Sequence, residues 1–300
     1  MNNKMISCLR LLQFKSNIFQ IAKELECSWL NVLEYIGILN SIEEDLISRS
    51  SYLGYYVTRK LDWIDENKLN RKLNSLKLNF YIIKILTTTA STNTYVLNNL
   101  ESLNNNSVVI AEHQSDGRGR NNKNWYSRIA ADITISFLYF IKLEINYELL
   151  PMVVAVGINR LLKFYKIKNF IKWPNDIYTK LNEKVAGILI ESGKKDGKRY
   201  IVIGIGLDNN ENINRSELLA NLIFYIDQVI NEYLNQGFVK LRREWLDNCI
   251  HYKKMVYIYK ENELIEQGVN IDLKLNGDLV VKSKDKLNYY INSSYSLKYK

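Results

Sequence analysis

Proline and cysteine are scarce in this 300-residue chain, with two prolines (Pro151 and Pro174) and three cysteines (Cys8, Cys27 and Cys249). An odd number of widely spaced cysteines, with no CxxC or CxxH pairing, gives no basis for a disulfide framework or a cysteine zinc site. Long apolar runs are missing as well. The longest, residues 133–141 and 152–158, fall well short of the roughly 18–20 residues that a bilayer span needs. No uninterrupted apolar region leads to a small-residue cleavage site near the N-terminus, so no signal peptide is expected. The expected location is the cytoplasm, with no membrane partner. No internal repeat is visible. Apolar residues are nevertheless 47 % of the chain, including 5 Trp, 21 Tyr and 9 Phe, which excludes disordered and collagen-like classes. A chain of this length suits two or three modules.

A net charge of +9 invites a nucleic-acid reading. Its distribution weakens that reading. Residues 1–65 hold seven Lys/Arg against eight Asp/Glu, a net of −1, and the remainder carries +10. The basic surplus lies outside the segment that resembles a DNA reader.

In that segment Ile18, Ile21, Ala22 and Leu25 recur at helical spacing. After a short break Ser28 suits the N-cap of a second helix carrying Trp29, Val32, Leu33 and Ile36. With an alternating stretch over 46–57, the pattern predicts a winged helix-turn-helix, with an unrelated helical mini-domain as the alternative. Residues 62–78, charged and rich in Asn, Lys and Leu, read as a linker. Strand-like runs at 80–86, 107–112, 132–141, 185–191 and 200–207 alternate with helical segments at 92–103, 147–165 and 215–235, which predicts a mixed sheet covered by helices. Short strands return at 255–259, 268–275, 278–282 and 289–297, with a hairpin signal at Asn276-Gly277. The expected fold class is α+β in three parts: a winged helix-turn-helix over 1–64, a central mixed-sheet domain over 65–251, and a small SH3-like barrel over 252–300.

Four central segments carry chemistry. The first runs from Gln114 through Gly117-Arg118-Gly119-Arg120 to Lys123 and Trp125. Two glycines interleaved with two arginines can bring backbone N–H groups and guanidinium forks onto an anion. The segment is neither a Walker A nor a dinucleotide fingerprint, and it also suits a solvated basic hairpin tip. The second, Lys172-Trp173-Pro174-Asn175-Asp176, turns at a strand end, where sheets of this kind bind ligands; a plain turn is the alternative. In the third, Lys184 stands at the mouth of a buried strand and Gly187 marks a close approach. The fourth ends a strand with Gly204, Gly206, Asp208 and Asn209. Ser91-Thr92-Asn93 adds hydroxyls and an amide, with helix capping as the alternative use.

In this order the segments resemble the biotin protein ligases, whose pattern is an STN segment, a GRGR…W loop, a KWPND turn, a KxxGIL strand and a GIGxN turn. The front and rear modules resemble the bifunctional ligase–repressor members. The resemblance implies a class II synthetase-like catalytic domain that joins biotin to the α-phosphate of ATP, then passes it from biotinyl-AMP to a lysine of a biotin carboxyl carrier protein, as in acetyl-CoA carboxylase. It implies biotin contacts from Ser91, Thr92, Asn93, Gln114, Gly117, Arg118, Gly119, Arg120, Lys184 and Gly187. On the ATP side it implies Arg120, Lys123, Trp125 over the adenine, Lys172, Asn175, Asp176 and Asp208. Lys184 and Arg120 would be catalytic, and Mg²⁺ would enter with ATP, with Asp176 its only protein contact. A homodimer and operator DNA are further partners that the resemblance raises, the DNA read by Ser28, Asn31 and Arg49. Asp132 and Asp208 stand where the family has asparagine, and a carboxylate beside phosphate calls for a cation. Two rival functions share these residues: a biotin-sensing repressor with weak ligase activity, and a lipoate-type acyltransferase.

Overall fold

The computed structural model describes residues 3–15, 17–141, 145–180, 183–261, 263–284, 288–292 and 294–299. The chain opens with three helices, α1 (Asn3–Leu12), α2 (Ile18–Glu24) and α3 (Trp29–Ile42), followed by the antiparallel pair β1 (Ile47–Ser50) and β2 (Gly54–Val57). The expected second helix begins where its cap was placed: Ser28 Oγ accepts the Asn31 amide at 3.2 Å, and Asn31 Oδ1 accepts the Ser28 amide at 3.2 Å. Leu9, Ile21, Val32, Leu39 and Leu46 fill the core of this unit. Leu61, Ile129 and Ala130 belong to the same cluster, so the core reaches into the rest of the chain.

The expected linker is a helix, α4 (Glu66–Ser75). Asp65 caps it by accepting the Lys68 amide at 2.9 Å. Leu69 and Leu73, one turn apart, are buried beneath α7 (Arg215–Gln236). A narrow apolar stripe on an otherwise charged segment suffices for a helix that buries one edge, and the charge masked it.

Seven strands then form a sheet in the order β3-β4-β5-β9-β8-β7-β6. They are β3 (Ile82–Leu86), β4 (Ser107–Ala111), β5 (Ile133–Ile141), β6 (Phe170–Lys172), β7 (Asp176–Lys180), β8 (Glu183–Lys195) and β9 (Lys198–Leu207). Only β3 and β4 run parallel, joined by the crossover helix α5 (Thr92–Asn98). Alternation along β5 sorts the two faces. Ile133, Ile135 and Phe137 meet the large core under α6 (Leu150–Phe164) and α7. On the other face Leu138 packs with Val96 of α5, and Thr134 and Ser136 are buried polar groups. The site lies on that second face.

After α8 (Val239–Asp247), a five-stranded antiparallel sheet runs β13-β12-β11-β10-β14. Its strands are β10 (Met255–Lys260), β11 (Glu263–Leu273), β12 (Leu279–Ser283), β13 (Asn288–Ile291) and β14 (Ser296–Tyr299). The last expected strand thus splits in two, and Ser293 between the halves lies outside the described residues. This sheet shares the large core: Val256, Ile258, Leu279 and Leu297 belong to the same cluster as α6. Gly277, at φ +92°, turns the hairpin so tightly against α6 that an added Cβ would lie 2.9 Å from Met152 Cε. Its carbonyl accepts the Trp173 indole N–H at 3.1 Å. Trp173 is therefore a buried tie between the two sheets.

One arginine gathers the chain. Arg215, fully buried at the start of α7, pairs through Nη1 with buried Glu112 and donates to the Asp62 carbonyl at 2.8 Å and, through Nε, to the Asp132 carbonyl at 3.1 Å. Glu112 also accepts the Ile64 amide at 2.9 Å. Removing one partner of a buried pair strands the other charge, at a cost of about 3–5 kcal/mol. Arg215→Met should lower the urea-unfolding free energy on that scale. A loss under about 1 kcal/mol, the range of an exposed pair, would show that the tie is not a structural support.

Candidate active site

Segments far apart in sequence converge on one pocket on the α5 face of the sheet. Its walls are Ser91, Thr92 and Asn93 at the start of α5, Gln114, Arg118, Gly119, Arg120 and Trp125 from the loop after β4, Asn175 from the β6–β7 turn, Lys184 and residues 187–189 of β8, and residues 204–206 of β9.

At the inner end the polar groups form a chain. Gln114 Oε1 accepts from the Thr92 amide at 2.8 Å and from its hydroxyl at 3.1 Å. The Ser136 hydroxyl lies 2.7 Å from Thr92 Oγ1 and 2.5 Å from Asn93 Oδ1. Asn93 Nδ2 donates to Glu191 Oε2 at 2.9 Å. The bare backbone of Gly204 makes room, since a Cβ there would stand 2.3 Å from Asn93 Oδ1. Ser91 holds the N-cap position of α5 without capping it through its side chain. Ser136 and Glu191 were not among the expected site residues. The only sequence signal for either was a polar residue at an inward position of an apolar strand.

At the outer end cations and carboxylates alternate. Arg118 pairs with Glu191 at 2.7 Å, Lys184 with Asp176 at 2.7 Å, and Arg120 donates to Asn175 Oδ1 at 3.0 Å. Asn175 is itself fixed by donating to the Ile188 carbonyl at 2.8 Å. Burial lowers the affinity of Arg120 for its proton, and Asp176 opposes that shift. Lys172 is lowered chiefly by burial and further by Lys184 and Lys123, again against Asp176. Positive charge is thus concentrated around one carboxylate.

Trp125 packs directly on the glycine floor, where a Cβ on Gly206 would come within 2.1 Å of the indole and one on Gly187 within 3.0 Å. The Lys184 ammonium lies 5.5 Å from its ring centroid. Its buried Nε1 has no hydrogen-bond partner among the described residues. The loop closes on itself, the Gly119 amide donating to Lys123 O at 2.6 Å and the Trp125 amide to Gly117 O at 2.8 Å. Gly117 and Lys123 therefore shape the loop without lining the pocket, and Lys172 and Asp176 stand at its edge. Asp208 is placed apart, in neighbouring clefts with Asn209 and Asn210 and with Arg128 and Asp132.

The two aspartates are accommodated differently. The Asp132 carboxylate accepts from the Arg128 guanidinium at 2.5 Å and from the Asn209 amide at 3.0 Å, a bracing role within the protein. Asp208 is pushed up to about 7, first by burial and then by Asp132, against Arg128 and Lys184. In the N-terminal unit, Ser28 and Asn31 spend their side chains on the helix cap, while exposed Arg49 lies over the Tyr55 ring at 5.5 Å.

The sheet, the glycine floor and the paired cations form one pocket suited to an anionic ligand. Residues 85–208 match the family model described as the biotin/lipoate A/B protein ligase family. Among curated proteins, the chain is 27 % identical over 259 residues to the bifunctional ligase/repressor BirA of Salmonella typhimurium, covering 76 % of this chain and 78 % of that one. It is 28 % identical over 230 residues to BirA of Escherichia coli, covering 67 % and 71 %. In fold it is similar to the biotin protein ligase from Aquifex aeolicus solved with biotin and ATP, with a TM-score of 0.64 and 20 % identity over 74 % of this chain and all of that one.

The shifted Asp208 has a measurable consequence. Its folded value near 7 exceeds the unfolded value of about 4, so between these limits the folded chain holds a proton that the unfolded chain has released,. Its contribution to stability therefore falls as pH rises from about 4 through 7, then levels off. Asp208→Asn should remove that decline in urea unfolding followed between about pH 5 and 8. A variant with the wild-type slope would assign the pH dependence elsewhere.

Proposed function

We infer that the chain is an ATP-dependent biotin protein ligase. The observation that carries this reading is the single pocket in which a neutral hydrogen-bonding end, an apolar floor and a cationic mouth follow one another. Biotin has those three parts in that order: a ureido ring, an apolar body and a carboxylate tail. Ser91, Thr92, Asn93 and Gln114 meet the ureido end, where an acyl chain lacking those groups would leave buried polar atoms unpaired. That favours biotin over lipoate.

The chemistry requires no nucleophilic side chain. A biotin carboxylate oxygen attacks the α-phosphorus of ATP and pyrophosphate leaves, giving the mixed anhydride biotinyl-5′-AMP. The amine of a carrier-domain lysine then attacks the carbonyl carbon and AMP departs. Two anions must be held together, so the protein supplies position and positive charge. Arg118 and Arg120 clamp the carboxylate and phosphate, Lys184 stabilises charge at the reacting centre, and Lys172, Lys123 and Asn175 face the nucleotide. The adenine stacks on Trp125. Mg²⁺ would enter bound to the triphosphate. Among the described residues no group of three or more His, Cys, Asp or Glu is gathered to hold a metal. Asp176 alone would offer it a carboxylate, which suits a cation carried mainly by phosphates and water. The acceptor is a biotin carboxyl carrier protein.

The purified chain, labelled biotin, MgATP and a carrier domain should yield labelled carrier; lipoyl transfer instead would overturn the reading. Lys184→Met should slow single-turnover adenylate formation about 10²–10³-fold, the scale for losing one preorganised donor, with the fold retained because the lysine lies at a strand mouth. An unchanged rate would remove Lys184 from the mechanism.

The N-terminal unit is read as a winged helix-turn-helix over 1–64, and the last sheet as an SH3-like barrel over 252–300 beside a catalytic domain of 65–251. The exposed face of α3 presents Leu30, Glu34, Gly37 and Ile38, with no cation for phosphate neutralisation, the main source of non-specific affinity. DNA binding is therefore read as either vestigial or confined to the adenylate-bound dimer. Titrated with a duplex from its own biotin-gene promoter, the ligand-free chain should show a Kd in the micromolar range or weaker. Tight, sequence-specific binding without biotin and ATP would contradict this.

A further inference from the structure

We propose that Glu191 is a positioning residue of the biotin site, an assignment that rests on the ligase reading above. It stands on β8 two residues beyond Leu189, on the same strand face by the two-residue period,. One oxygen, Oε2, accepts from both Arg118 of the loop at 2.7 Å and Asn93 of α5 at 2.9 Å. The two contacts differ in character. Arg118 and Glu191 keep 38 % and 25 % of their side chains exposed, and an ion pair so open to water is weak. Asn93 is buried, where a hydrogen bond to a charge is strong and an unpaired amide costly.

From this asymmetry follow two roles. Toward Asn93, Glu191 sets the direction of the inner chain. With Nδ2 committed to the carboxylate, Asn93 Oδ1 turns to the Ser136 hydroxyl, which lies against Thr92 Oγ1, and the Thr92 hydroxyl faces Gln114 Oε1. A ring offering N–H donors and a carbonyl acceptor therefore meets an Asn93 amide whose donor and acceptor ends are already set. Toward Arg118, Glu191 occupies the guanidinium before substrate arrives. A substrate carboxylate or phosphate then replaces one carboxylate by another anion, so Arg118 is transferred rather than stripped of a partner. The contact that ties the loop over the pocket is weak enough to give way,.

Three variants separate the roles, each first checked for wild-type thermal unfolding. Glu191→Leu removes both contacts and should raise the KM for biotin about 10–100-fold, the scale for stranding a buried group bonded to a charge, with kcat changed far less. Asn93→Ala should do the same, and the double variant should be no worse than either single one. Glu191→Gln keeps an acceptor for Asn93 and should restore the KM to within about threefold of wild type. It still loses the charge opposite Arg118, so trypsin should cut the ligand-free loop at Arg118–Lys123 about two- to fivefold faster. Additive effects of the two single variants, or a Glu191→Leu KM for biotin equal to wild type, would overturn the role toward Asn93. Equal trypsin rates would overturn the hold on Arg118. The proteolysis needs no substrate, and wild-type adenylate formation is measured alongside. A chain that makes no adenylate but shows the faster cleavage would refute the ligase reading while leaving the Arg118 contact standing.

Discussion

Everything near the site depends on how Arg215 is buried. Its guanidinium meets Glu112 at the end of β4 and the Asp132 carbonyl at the start of β5, and these residues are the two feet of the loop that carries Gln114, Arg118, Arg120 and Trp125. A loop of this length with little apolar surface has much entropy to lose on ordering. Pinning both ends to one buried group restricts the freedom that must be lost, and leaves the middle able to move. The same arginine receives the chain from the N-terminal unit: its amide donates to Asp62 Oδ2 at 2.6 Å, and Ser216 beside it accepts the Asp65 amide at 2.9 Å. A buried ion pair is seldom a gain over apolar packing. Here it fixes three chain segments in one register, which apolar contacts alone do not specify.

Around the pocket the cations are matched by internal anions. Arg118 has Glu191, Lys184 has Asp176, and Arg128 has Asp132. Unpaired cations at such density would repel one another and destabilise the fold. Internal carboxylates balance them. The exposed pairs at Glu191 and Asp176 can exchange partners, whereas Asp132, 3 % exposed and fixed by a backbone amide, cannot. Asp132 therefore presents no free negative charge to the neighbouring cleft. Asp208 reaches a related end differently, by keeping its proton up to about pH 7.

Much of this was legible in the sequence because local signals and final positions agree. The strands of the central sheet lie on the apolar runs, and the four motif segments reach one pocket because each sits at or beside a strand end on the α5 face. What escaped depends on pairing across strands. Ser136 lies within an apolar strand, and only the register Ser136↔Gly204 and the crossover of α5 show that it faces Asn93. Glu191 reads as the polar end of a buried run until Arg118, 73 residues earlier, is folded over it. The α4 helix was hidden for the opposite reason, since its charge suggests a linker and only two leucines one turn apart reach the core.

The N-terminal unit is joined to the site more closely than its sequence boundary suggests. Glu43, just past α3, takes the Arg59 guanidinium at 2.6 and 2.7 Å and accepts the Ile129 amide at 3.0 Å, while Arg59 donates to the Ile129 carbonyl at 2.7 Å. Both polar groups of one peptide residue in the loop's second foot are thereby held by the N-terminal unit, and Ile129 and Ala130 complete its apolar core. Close-packed interiors transmit small displacements instead of absorbing them. Arg128, adjacent to that peptide, is also the partner of Asp132, from which β5 begins. The end of α3 and the loop over the pocket are therefore tied to one short stretch of backbone.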